Sequence, residues 1–475
     1  MVMLEPEGAA GTSAVADRAG AEPPRCLPAA AVRAYDVRGR VGDPLLVEHG
    51  RSLGLAYAAL ARARDLRRIG VGRDGRLTSP ALEAELVAGL ADGGMEVVRL
   101  GLGPTPMTAF AVRTLGLDGG VVVTASHNPP DENGFKIMLG AERIHGAALR
   151  ALAAGVGAPA PGGSVRDADV RDAYVERLLS AAVDAPALTV AWDAGSGATG
   201  EIVERLAARL PGRHVRLSTR VDGRFPDHHP DPAVERNLEP LKAAVLREGC
   251  DLGVAFDGDG DRIGVVDETG TAIWADQLLL FLAGELLREN PGATVVGDVK
   301  SSGVLFRGVE ALGGRAVTAP SGYVLIREAM KREGALLAGE LSGHVFFADR
   351  WDGTDDALYV AVRLLCALGR AGAPLSAFRR ALPPVVTTPE LRIPCPERRK
   401  AEVVGEVARR TAHRGGRYDP ELGLTVTGPD GWWLLRASGT EPKLTCRCEA
   451  PDAGALERLE ADLRGELAAS GVRLP

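Results

Sequence analysis

The chain has 475 residues, of which 45% are hydrophobic and 25% are charged, and its formal net charge is −7. At about 150 residues per domain, this length predicts three or four domains of a globular protein. Its basic residues are scattered rather than gathered in one stripe, which argues against nucleic acid as a partner. Six cysteines are too few for a disulfide framework, so we expect reduced thiols and a cytoplasmic protein.

The N-terminal residues 1–28 are rich in Ala, Gly and Pro and lack the basic start and apolar core of a signal peptide. We therefore predict a disordered tail over this range. No later apolar run reaches the length needed to span a membrane, so no membrane partner is expected.

After the tail, a pattern of strand, helix and second strand occurs three times. Short apolar runs end at Asp74, Asp193 and Asp298, and the stretches that follow have apolar residues at helical spacing. Each second strand leads into a polar loop, and loops at strand ends are where α/β folds place ligand sites. A proline-rich linker then precedes a smaller α+β piece. The pattern predicts four domains, over residues 29–165, 166–269, 270–383 and 384–475.

The first polar loop lies in VVVTASHNPPDENGFK, residues 121–136, and contains Ser126. One interpretation is an ordinary strand-to-helix connection with capping residues. A hydrolase nucleophile would prefer a G-x-S-x-G elbow, which TASHN lacks, and in an extended loop the side chain of His127 would diverge from Ser126. A serine that carries a phosphoryl group fits best, with Lys136, His127 and Arg262 offsetting its charge.

The second polar loop, FDGDGDR, alternates Asp257, Asp259 and Asp261 with glycine. In an extended segment these carboxylates would project on one side, and hard oxygen ligands suit Mg²⁺ or Ca²⁺. An EF-hand loop is an alternative, but its sixth position would be Arg262 instead of Gly, and the flanks look like strands. A solvated acidic turn is the other alternative. We expect a catalytic divalent cation, with Arg262 suited to a phosphate oxygen.

The third and fourth loops, GELSGH and RASGTEP, carry weaker signals. GELSGH offers a carboxylate and a hydroxyl of the kind that binds sugar hydroxyls. RASGTEP offers a guanidinium, two hydroxyls and a glycine, which is the make-up of an anion cradle. A hairpin turn with capping hydroxyls is the alternative there. Taken together, the four loops indicate phosphoryl transfer on a phosphorylated sugar.

The four motifs occur in the order found in a known family: the chain resembles the α-D-phosphohexomutases, and most closely the bacterial phosphomannomutase/phosphoglucomutase group. The match begins at RAYDVRG, near Arg33, and leaves out only the N-terminal tail. VDGRFPDHHPDP, residues 221–232, favours this group over its phosphoglucosamine relatives. The resemblance implies three related α/β domains with mixed sheets and a smaller, mobile C-terminal α+β domain, arranged around a central cleft.

The resemblance also implies the site residues. Ser126 would be the phosphoserine and would bind Mg²⁺ together with Asp257, Asp259 and Asp261. The other implied catalytic residues are Arg38, His127, Lys136 and Arg262. The implied substrate-binding residues, with Asp298 near the sugar, are Tyr35, Lys300, Tyr323, Glu340, Ser342, His344, Arg436, Ser438, Gly439 and Thr440.

The implied reaction has two halves. Phospho-Ser126 gives its phosphoryl group to a hexose 1-phosphate, and the resulting hexose 1,6-bisphosphate reorients and returns its other phosphate, leaving hexose 6-phosphate. The implied cofactors are Mg²⁺ and a hexose 1,6-bisphosphate activator. The expected partner is a phosphorylated hexose, and the expected assembly is a monomer or weak dimer.

Two departures from the family pattern leave the sugar preference open. Where the group usually has K-T-G-H-S, this chain has PSGYV, so Pro320 and Tyr323 replace a cation and an imidazole. RASGTEP is more like the phosphoglucosamine and phosphopentomutase versions, although Arg436, Ser438 and Thr440 remain. Three alternatives stay open: a phosphoglucosamine mutase, a hexose 1,6-bisphosphate synthase, and a non-catalytic sugar-phosphate sensor.

Overall fold

The computed structural model describes residues 26–140, 142–182, 185–438 and 443–473, and the chain divides into two compact units. Unit one comprises the residues up to Ala272 together with Thr354–Arg370. Unit two comprises Ile273–Gly353 and the residues from Ala371 onwards. Each unit is built on two β-sheets, which contain seven and five strands in unit one and four and six strands in unit two.

The first sheet is mixed. Its strands are β1 (Val37–Arg40), β2 (Arg68–Arg73), β3 (Glu96–Leu102), β4 (Gly119–Val123), β5 (Glu132–Leu139), β6 (Glu142–Arg143) and β7 (Ser164–Asp167). The accompanying helices are α1 (His49–Arg62), α2 (Ser79–Asp92), α3 (Thr105–Thr114) and α4 (Gly146–Ala154), after a 3-10 turn at Ala29–Ala31. The strand order is β1-β5-β4-β2-β3-β7, with β6 paired to β5. Strand β2 is parallel to β3 and β4, whereas β4 is antiparallel to β5.

Helices α1 and α2 pack closely because glycines line their contact. A Cβ atom on Gly54 would lie 2.5 Å from the Leu86 carbonyl oxygen, and one on Gly89 would lie 2.2 Å from the Arg51 carbonyl oxygen. Only glycine permits such an approach of two backbones. The leucines of both helices then bury in one core against β2 and β4.

The second sheet repeats the mixed pattern. Its strands are β8 (Leu188–Asp193), β9 (Gly212–Leu217), β10 (Leu252–Phe256), β11 (Ile263–Asp267) and β12 (Ala272–Ile273). The helices are α5 (Arg171–Leu179), α6 (Gly200–Ala207) and α7 (Glu239–Glu248), with a 3-10 turn at Glu235–Leu238. The order is β12-β11-β10-β8-β9. Strand β8 is parallel to β9 and β10, whereas β10 is antiparallel to β11.

The third sheet, in unit two, is mixed and the fourth is antiparallel. The third has β13 (Thr294–Asp298), β14 (Arg315–Ala319), β15 (Leu337–Gly339) and β16 (Val345–Phe347), in the order β14-β13-β15-β16. The helices of this part of the chain are α8 (Ala275–Glu289), α9 (Gly303–Ala311), α10 (Tyr323–Glu333), α11 (Ala357–Ala371) and α12 (Leu375–Ala381). The fourth has β17 (Val386–Thr387), β18 (Leu391–Pro394), β19 (Gly416–Asp419), β20 (Gly423–Gly428), β21 (Gly431–Ala437) and β22 (Lys443–Ala450), with α13 (Glu397–Thr411), a 3-10 turn at Ala412–Arg414, and α14 (Ala453–Ala468).

All four polar loops join antiparallel neighbours. They connect β4 to β5, β10 to β11, β15 to β16 and β21 to β22. The interpretation of the Ser126 loop as a strand-to-helix connection is therefore wrong. In the first three sheets, the strand before the loop lies beside a parallel strand that leads to Asp74, Asp193 or Asp298. Polar loop and aspartate therefore stand at the same edge of each sheet.

Three structural features lie at or across the predicted domain limits, which stay predictions. Leu27, assigned to the tail, is 5% exposed in the first core, and its N–H donates to the Ala153 carbonyl; residues 1–25 lie outside the described part of the chain. Strand β7 pairs with β3, so a limit at 165/166 cuts through a strand. The sequence hides β7 because its residues are polar and mostly exposed. The second sheet likewise continues beyond residue 269, to β12.

The sequence predicts no membrane-spanning segment, and this prediction depends on the length and polarity of the helices. Within the described ranges, no single helix is long and apolar enough to cross a membrane. The bent pair α11 and α12 passes such a test together, but only on length and composition. Residues 357–368 of α11 are all buried, as is usual for a core helix.

A buried carboxyl precedes α11 and gives a prediction about stability. The Tyr174 hydroxyl donates to Asp356 Oδ2 at 2.8 Å, and the Tyr359 N–H donates to Asp356 Oδ1 at 3.0 Å. Burial raises the pKa of Asp356 to about 7, despite these two hydrogen bonds. The native state therefore holds a proton that the unfolded chain, with a pKa of about 3.9, has already lost. The free energy of unfolding should fall as pH rises from about 4 to about 7.

Asp356→Asn should remove this pH dependence and raise the melting temperature at pH 8, because an amide mimics the protonated carboxyl. The amide oxygen can accept from the Tyr359 N–H, and the amide nitrogen can donate to the Tyr174 oxygen. Calorimetric melting at pH 5 and pH 8 measures the difference. Asp167→Asn, at a side chain that is 82% exposed, is the matched control. An unchanged pH dependence in Asp356→Asn would contradict the assignment.

Candidate active site

Ser126 lies buried in the loop between β4 and β5, with 1% of its surface exposed. Its Oγ donates to Asp257 Oδ2 at 2.6 Å and lies 3.1 Å from His127 Nδ1. The expectation that His127 diverges from Ser126 is wrong. Ser126 has a φ of +53°, so the backbone is left-handed rather than extended, and the two side chains come within contact distance.

The backbone around Ser126 leaves little room. Its N–H donates to Thr124 Oγ1 at 2.8 Å, and its carbonyl accepts from Arg76 Nη2 at 2.8 Å. A Cβ atom on Gly258 would lie 2.4 Å from the Ser126 carbonyl oxygen. The glycine of FDGDGDR at this position therefore allows the two polar loops of unit one to touch.

The three aspartates of FDGDGDR converge in a turn between β10 and β11. Asp257, Asp259 and Asp261 are each 0% exposed, and each can offer one oxygen to a group whose members lie within 4.8 Å of one another. Asp257 Oδ1 accepts the N–H groups of Gly260, Asp261 and Arg262 at 3.0 to 3.1 Å. The carboxylates thus meet because the loop curls around Asp257, not because the segment is extended. The EF-hand alternative is wrong, since strands flank this loop.

A buried ammonium group lies against this cluster. Lys136, on β5 and 1% exposed, places Nζ 2.7 Å from Asp259 Oδ2 and also contacts Asp261 Oδ2. The Thr105 hydroxyl donates to the same oxygen of Asp259 at 2.5 Å. Burial alone would raise the pKa of Asp259, but Lys136 and Thr105 outweigh it, so that pKa is lowered.

The pKa of Asp257 shifts in the opposite direction. Burial and its two aspartate neighbours raise this pKa well above its usual value. Asp259 Oδ1 is buried and has no hydrogen-bond partner among the described residues. Three converging carboxylates with an unsatisfied oxygen are a donor set that fits a hard divalent cation. The residues present therefore fit the expected metal.

Two further catalytic candidates adjoin the Ser126 loop. Arg38 Nη1 donates to the Ala125 carbonyl at 3.1 Å and to Asn128 Oδ1 at 2.9 Å, while Nε donates to Asp36 Oδ2 at 2.8 Å. The positive charge of Arg262 acts on Asp257 and opposes the rise of its pKa. Both guanidinium groups thus belong to the surroundings of Ser126.

The Tyr35 ring, by contrast, lies against another aromatic side chain. Its centroid is 6.4 Å from that of the His145 ring. The role of Tyr35 towards a substrate stays a prediction.

In unit two, Asp298 organises the third polar loop. It is 0% exposed, and its carboxylate accepts the Ser321 hydroxyl at 2.7 Å and the Leu341 N–H at 3.2 Å. Lys300 Nζ lies 3.4 Å from Glu390 Oε1. Burial alone would lower the pKa of Lys300, but the carboxylates of Asp298, Glu390 and Glu340 outweigh it and raise that pKa. Asp298, Lys300 and Glu340 are thus brought together.

Ring packing and a tight turn hold the other substrate-binding candidates near the third sheet in place. Tyr323, 7% exposed, stacks on His344 with ring centroids 5.4 Å apart and an interplanar angle of 26°. His344 in turn lies 6.4 Å from the Phe346 ring. The Glu340 N–H donates to the His344 carbonyl at 2.9 Å, and Ser342 Oγ is buried with no hydrogen-bond partner in the part of the chain that the structure describes.

The fourth polar loop is described only at its ends. Arg436, the last residue but one of β21, lies opposite Thr445 of β22, and its Nη2 lies 3.5 Å from the Glu421 carbonyl oxygen. The predicted residues Gly439 and Thr440 lie outside the described residues. Lys400, which the sequence reasoning missed in the basic run ERRKAE, donates to the Ser438 carbonyl at 2.5 Å. The same ammonium also lies 2.8 Å from Glu397 Oε2.

Four domain families match the chain in succession. They are the phosphoglucomutase/phosphomannomutase α/β/α domains I, II and III, over residues 29–152, 172–270 and 274–386, and the C-terminal domain over residues 390–466. The chain belongs to the phosphoglucomutase/phosphomannomutase family. This membership confirms the resemblance, the fold class of three α/β domains with a smaller C-terminal domain, and the expected class of phosphotransferase isomerases.

Individual members of the phosphoglucomutase/phosphomannomutase family match almost the whole chain. A phosphomannomutase/phosphoglucomutase of Pseudomonas aeruginosa is 41% identical over 94% of this chain and 98% of its own length. A phosphoglucomutase of Neisseria gonorrhoeae is 41% identical over 90% of this chain and 94% of its own. A crystal structure of a family protein from Burkholderia thailandensis superposes with a TM-score of 0.86 at 38% identity, covering 94% of this chain and 99% of that one.

Proposed function

We propose that the protein interconverts hexose 1-phosphate and hexose 6-phosphate, of glucose, mannose or both, through a phosphoserine at Ser126. The observation that carries this proposal is the buried contact of Ser126 Oγ with Asp257 inside a cluster of three carboxylates and one ammonium. Because Ser126 is only 1% exposed, its hydroxyl is shielded from bulk water, and a phosphoryl group on it would be protected from hydrolysis. Relatives named phosphomannomutase/phosphoglucomutase support the choice of substrate.

The metal proposed for this site is Mg²⁺, held by Asp257, Asp259, Asp261 and an oxygen on Ser126. Mg²⁺ prefers oxygen ligands and binds readily through carboxylates and phosphates together. When bound, it would neutralise charge on the transferring phosphoryl group. The unsatisfied Asp259 Oδ1 supports this assignment.

Charge neutralisation and proton transfer fall to the residues around Ser126. Lys136, Arg38 and Arg262 supply positive charge to a phosphoryl group that passes between Ser126 and the sugar. In the first transfer the P–Oγ bond breaks, a bond from phosphorus to the 6-hydroxyl oxygen of the sugar forms, and the proton of that hydroxyl passes to Ser126 Oγ. In the second transfer the bond from phosphorus to the 1-oxygen of the sugar breaks, the P–Oγ bond forms again, and the Ser126 proton passes to that 1-oxygen. Asp257 Oδ2 and His127 Nδ1 both lie within reach of the proton on Ser126 Oγ.

Between the two transfers the bisphosphate must reorient, and residues of the third and fourth polar loops would hold its sugar and distal phosphate. Glu340 would bind sugar hydroxyls, with Lys300 near it, and so would Ser342, whose Oγ has no hydrogen-bond partner among the described residues. Arg436, Ser438, Gly439 and Thr440 would grip the distal phosphate. Hexose 1,6-bisphosphate would activate the enzyme by phosphorylating Ser126. A cytoplasmic monomer or weak dimer stays our prediction.

Initial rates with glucose, mannose and glucosamine 1-phosphates test the function, in the presence of Mg²⁺ and a trace of glucose 1,6-bisphosphate. We expect kcat/KM values for glucose and mannose within about tenfold of each other, because relatives with both activities in their names match almost the whole chain. A hundredfold preference, about 2.7 kcal/mol of discrimination, would make the protein a dedicated mutase.

The same assay separates the alternatives. A preference for glucosamine 1-phosphate would indicate a phosphoglucosamine mutase, and accumulation of bisphosphate would indicate a synthase. Binding without turnover of any sugar phosphate would indicate a sensor and refute the proposal. Tyr323→Phe keeps the ring stack and should keep the sugar ratio, whereas Tyr323→Ala should alter it.

A further inference from the structure

Arg76 is a buried arginine that the reaction described above does not use. Its side chain is 0% exposed, and it lies in the turn after β2. Its two terminal nitrogens donate to four backbone carbonyls, three in the loop that contains Ser126 and one at the first residue of β5. Nη2 binds the carbonyls of Ser126 and Asn128, at 2.8 and 2.6 Å, and Nη1 binds those of Pro129 and Glu132, at 2.5 and 2.9 Å.

Asp74 fixes this guanidinium from the other side. Its Oδ2 lies 3.2 Å from Arg76 Nε, and its Oδ1 accepts the Arg76 N–H at 3.0 Å and the Ser79 hydroxyl at 2.5 Å. The Asp74 N–H donates to the Val123 carbonyl, at the end of the strand that leads into the loop. The ion pair is thereby anchored to the pairing of β2 with β4, so its position is set by the sheet.

The segment after β9 that contains Gly223 and Phe225 covers the ion pair of Asp74 and Arg76. The Arg76 Cζ lies 5.1 Å from the centroid of the Phe225 ring, in a cation–π contact. A Cβ atom on Gly223 would lie 2.5 Å from the Gly75 carbonyl oxygen, so this segment and the turn touch through their backbones. The motif VDGRFPDHHPDP, noted in the sequence, thus packs against the arginine.

The loop needs such support because of the backbone at Ser126. A φ of +53° is unfavourable for a residue with a side chain, and such conformations persist only where the surroundings over-determine them. Here the Ser126 carbonyl is held by Arg76 and its N–H by Thr124. Both restraints act on the peptide groups that orient Oγ towards Asp257.

We infer that Arg76, held by Asp74 and covered by Phe225, is a positioning residue that keeps the Ser126 hydroxyl in the geometry for phosphoryl transfer. It is not catalytic, because its guanidinium faces backbone carbonyls and is closed to substrate. The effect on turnover rests on the proposed function, but the effect on the loop does not.

Arg76→Lys tests the inference, since lysine keeps the charge but cannot span four carbonyls with a planar fork. We expect kcat to fall by about 10²-fold, as for a misplacement of about 1 Å at a reacting group, with KM changed less than threefold. Single-turnover transfer from glucose 1,6-bisphosphate to Ser126 should slow by the same factor. Arg51→Lys, at an ion pair between α1 and α2, is the matched control and should leave both rates unchanged.

Hydrogen exchange provides a second measurement that does not depend on activity. Peptides covering residues 124–136 should exchange faster in Arg76→Lys than in Arg51→Lys or the unaltered protein. If the unaltered protein transfers no phosphate to Ser126, the proposed function fails, while faster exchange in Arg76→Lys would still support the positioning role. Equal exchange in that loop, or a folded Arg76→Lys variant with kcat within threefold of the original, would overturn the inference.

Phe225→Leu covers the case in which Arg76→Lys does not fold. It removes the ring over the guanidinium while keeping an apolar cover. We expect the same pattern, a lower kcat with nearly constant KM and faster exchange of the loop, at a smaller size. An unchanged kcat together with unchanged exchange in this variant would also count against the inference.

Discussion

Replacing Ser126 by alanine should lower kcat/KM for glucose 1-phosphate by about 10⁴-fold or more, which corresponds to about 5.5 kcal/mol. The variant lacks the atom that would carry the phosphoryl group, and no other hydroxyl donates to Asp257 Oδ2 among the hydrogen bonds of the described residues. The melting temperature should change by only a few degrees, because Asp257 keeps its three backbone N–H donors.

The measurement combines steady-state rates with mass spectrometry of the peptide that contains residue 126. Labelled phosphate from glucose 1,6-bisphosphate should appear on this peptide in the unaltered protein and be absent from Ser126→Ala. Ser52→Ala, at a buried serine on α1, is the control and should retain full activity. Near-normal turnover in Ser126→Ala, with contaminating enzyme excluded, would remove the phosphoserine from the mechanism.

Asp259→Asn should be the second large loss, with kcat/KM reduced by about 10³-fold, as expected when preorganised charge at a transfer site is removed. The substitution takes one negative charge from the cluster and places an amide next to the Lys136 ammonium. Binding of Mg²⁺, measured by calorimetry, should weaken by at least about 100-fold. Asp251→Asn, at an exposed carboxylate just before β10, is the control.

The pH dependence of metal binding follows from the same cluster. Burial and the neighbouring carboxylates raise the pKa of Asp257, so a proton competes with the cation for its oxygens. The affinity for Mg²⁺ should therefore rise with pH, and chelation followed by added Mg²⁺ should remove and restore activity. Affinity independent of pH, or full activity after chelation, would contradict the proposed metal site.

The sequence carried enough information to predict the α/β architecture and the order of the polar loops. Apolar runs that end in aspartate and glycine mark β2, β8 and β13, and the aspartates of FDGDGDR are brought together as expected. Each motif is a short continuous segment. Its strands and turn form as predicted because the same strands build the hydrophobic cores.

What could not be predicted depends on contacts between distant parts of the chain. The proximity of His127 to Ser126 requires the left-handed backbone at Ser126, which Arg76 supports from 50 residues earlier. Nothing in the composition of GRDGR indicates that this arginine is fully buried, since most arginines lie at the surface. The stacking of Tyr323 on His344 likewise joins the first residue of α10 to the loop between β15 and β16, which are separate in the sequence.

The polar loops connect paired antiparallel strands, and this limits how far a substitution inside a loop can disturb the fold. The third loop is closed by the ladder partners Gly339 and Val345, and the first is closed by Val123 and Phe135. Because the pairing of the strands fixes these ends, residues inside a loop can be exchanged without moving the sheet beneath it. On the proposed function, sugar preference can therefore diverge within GELSGH while the transfer chemistry at Ser126 stays in a separate hairpin loop.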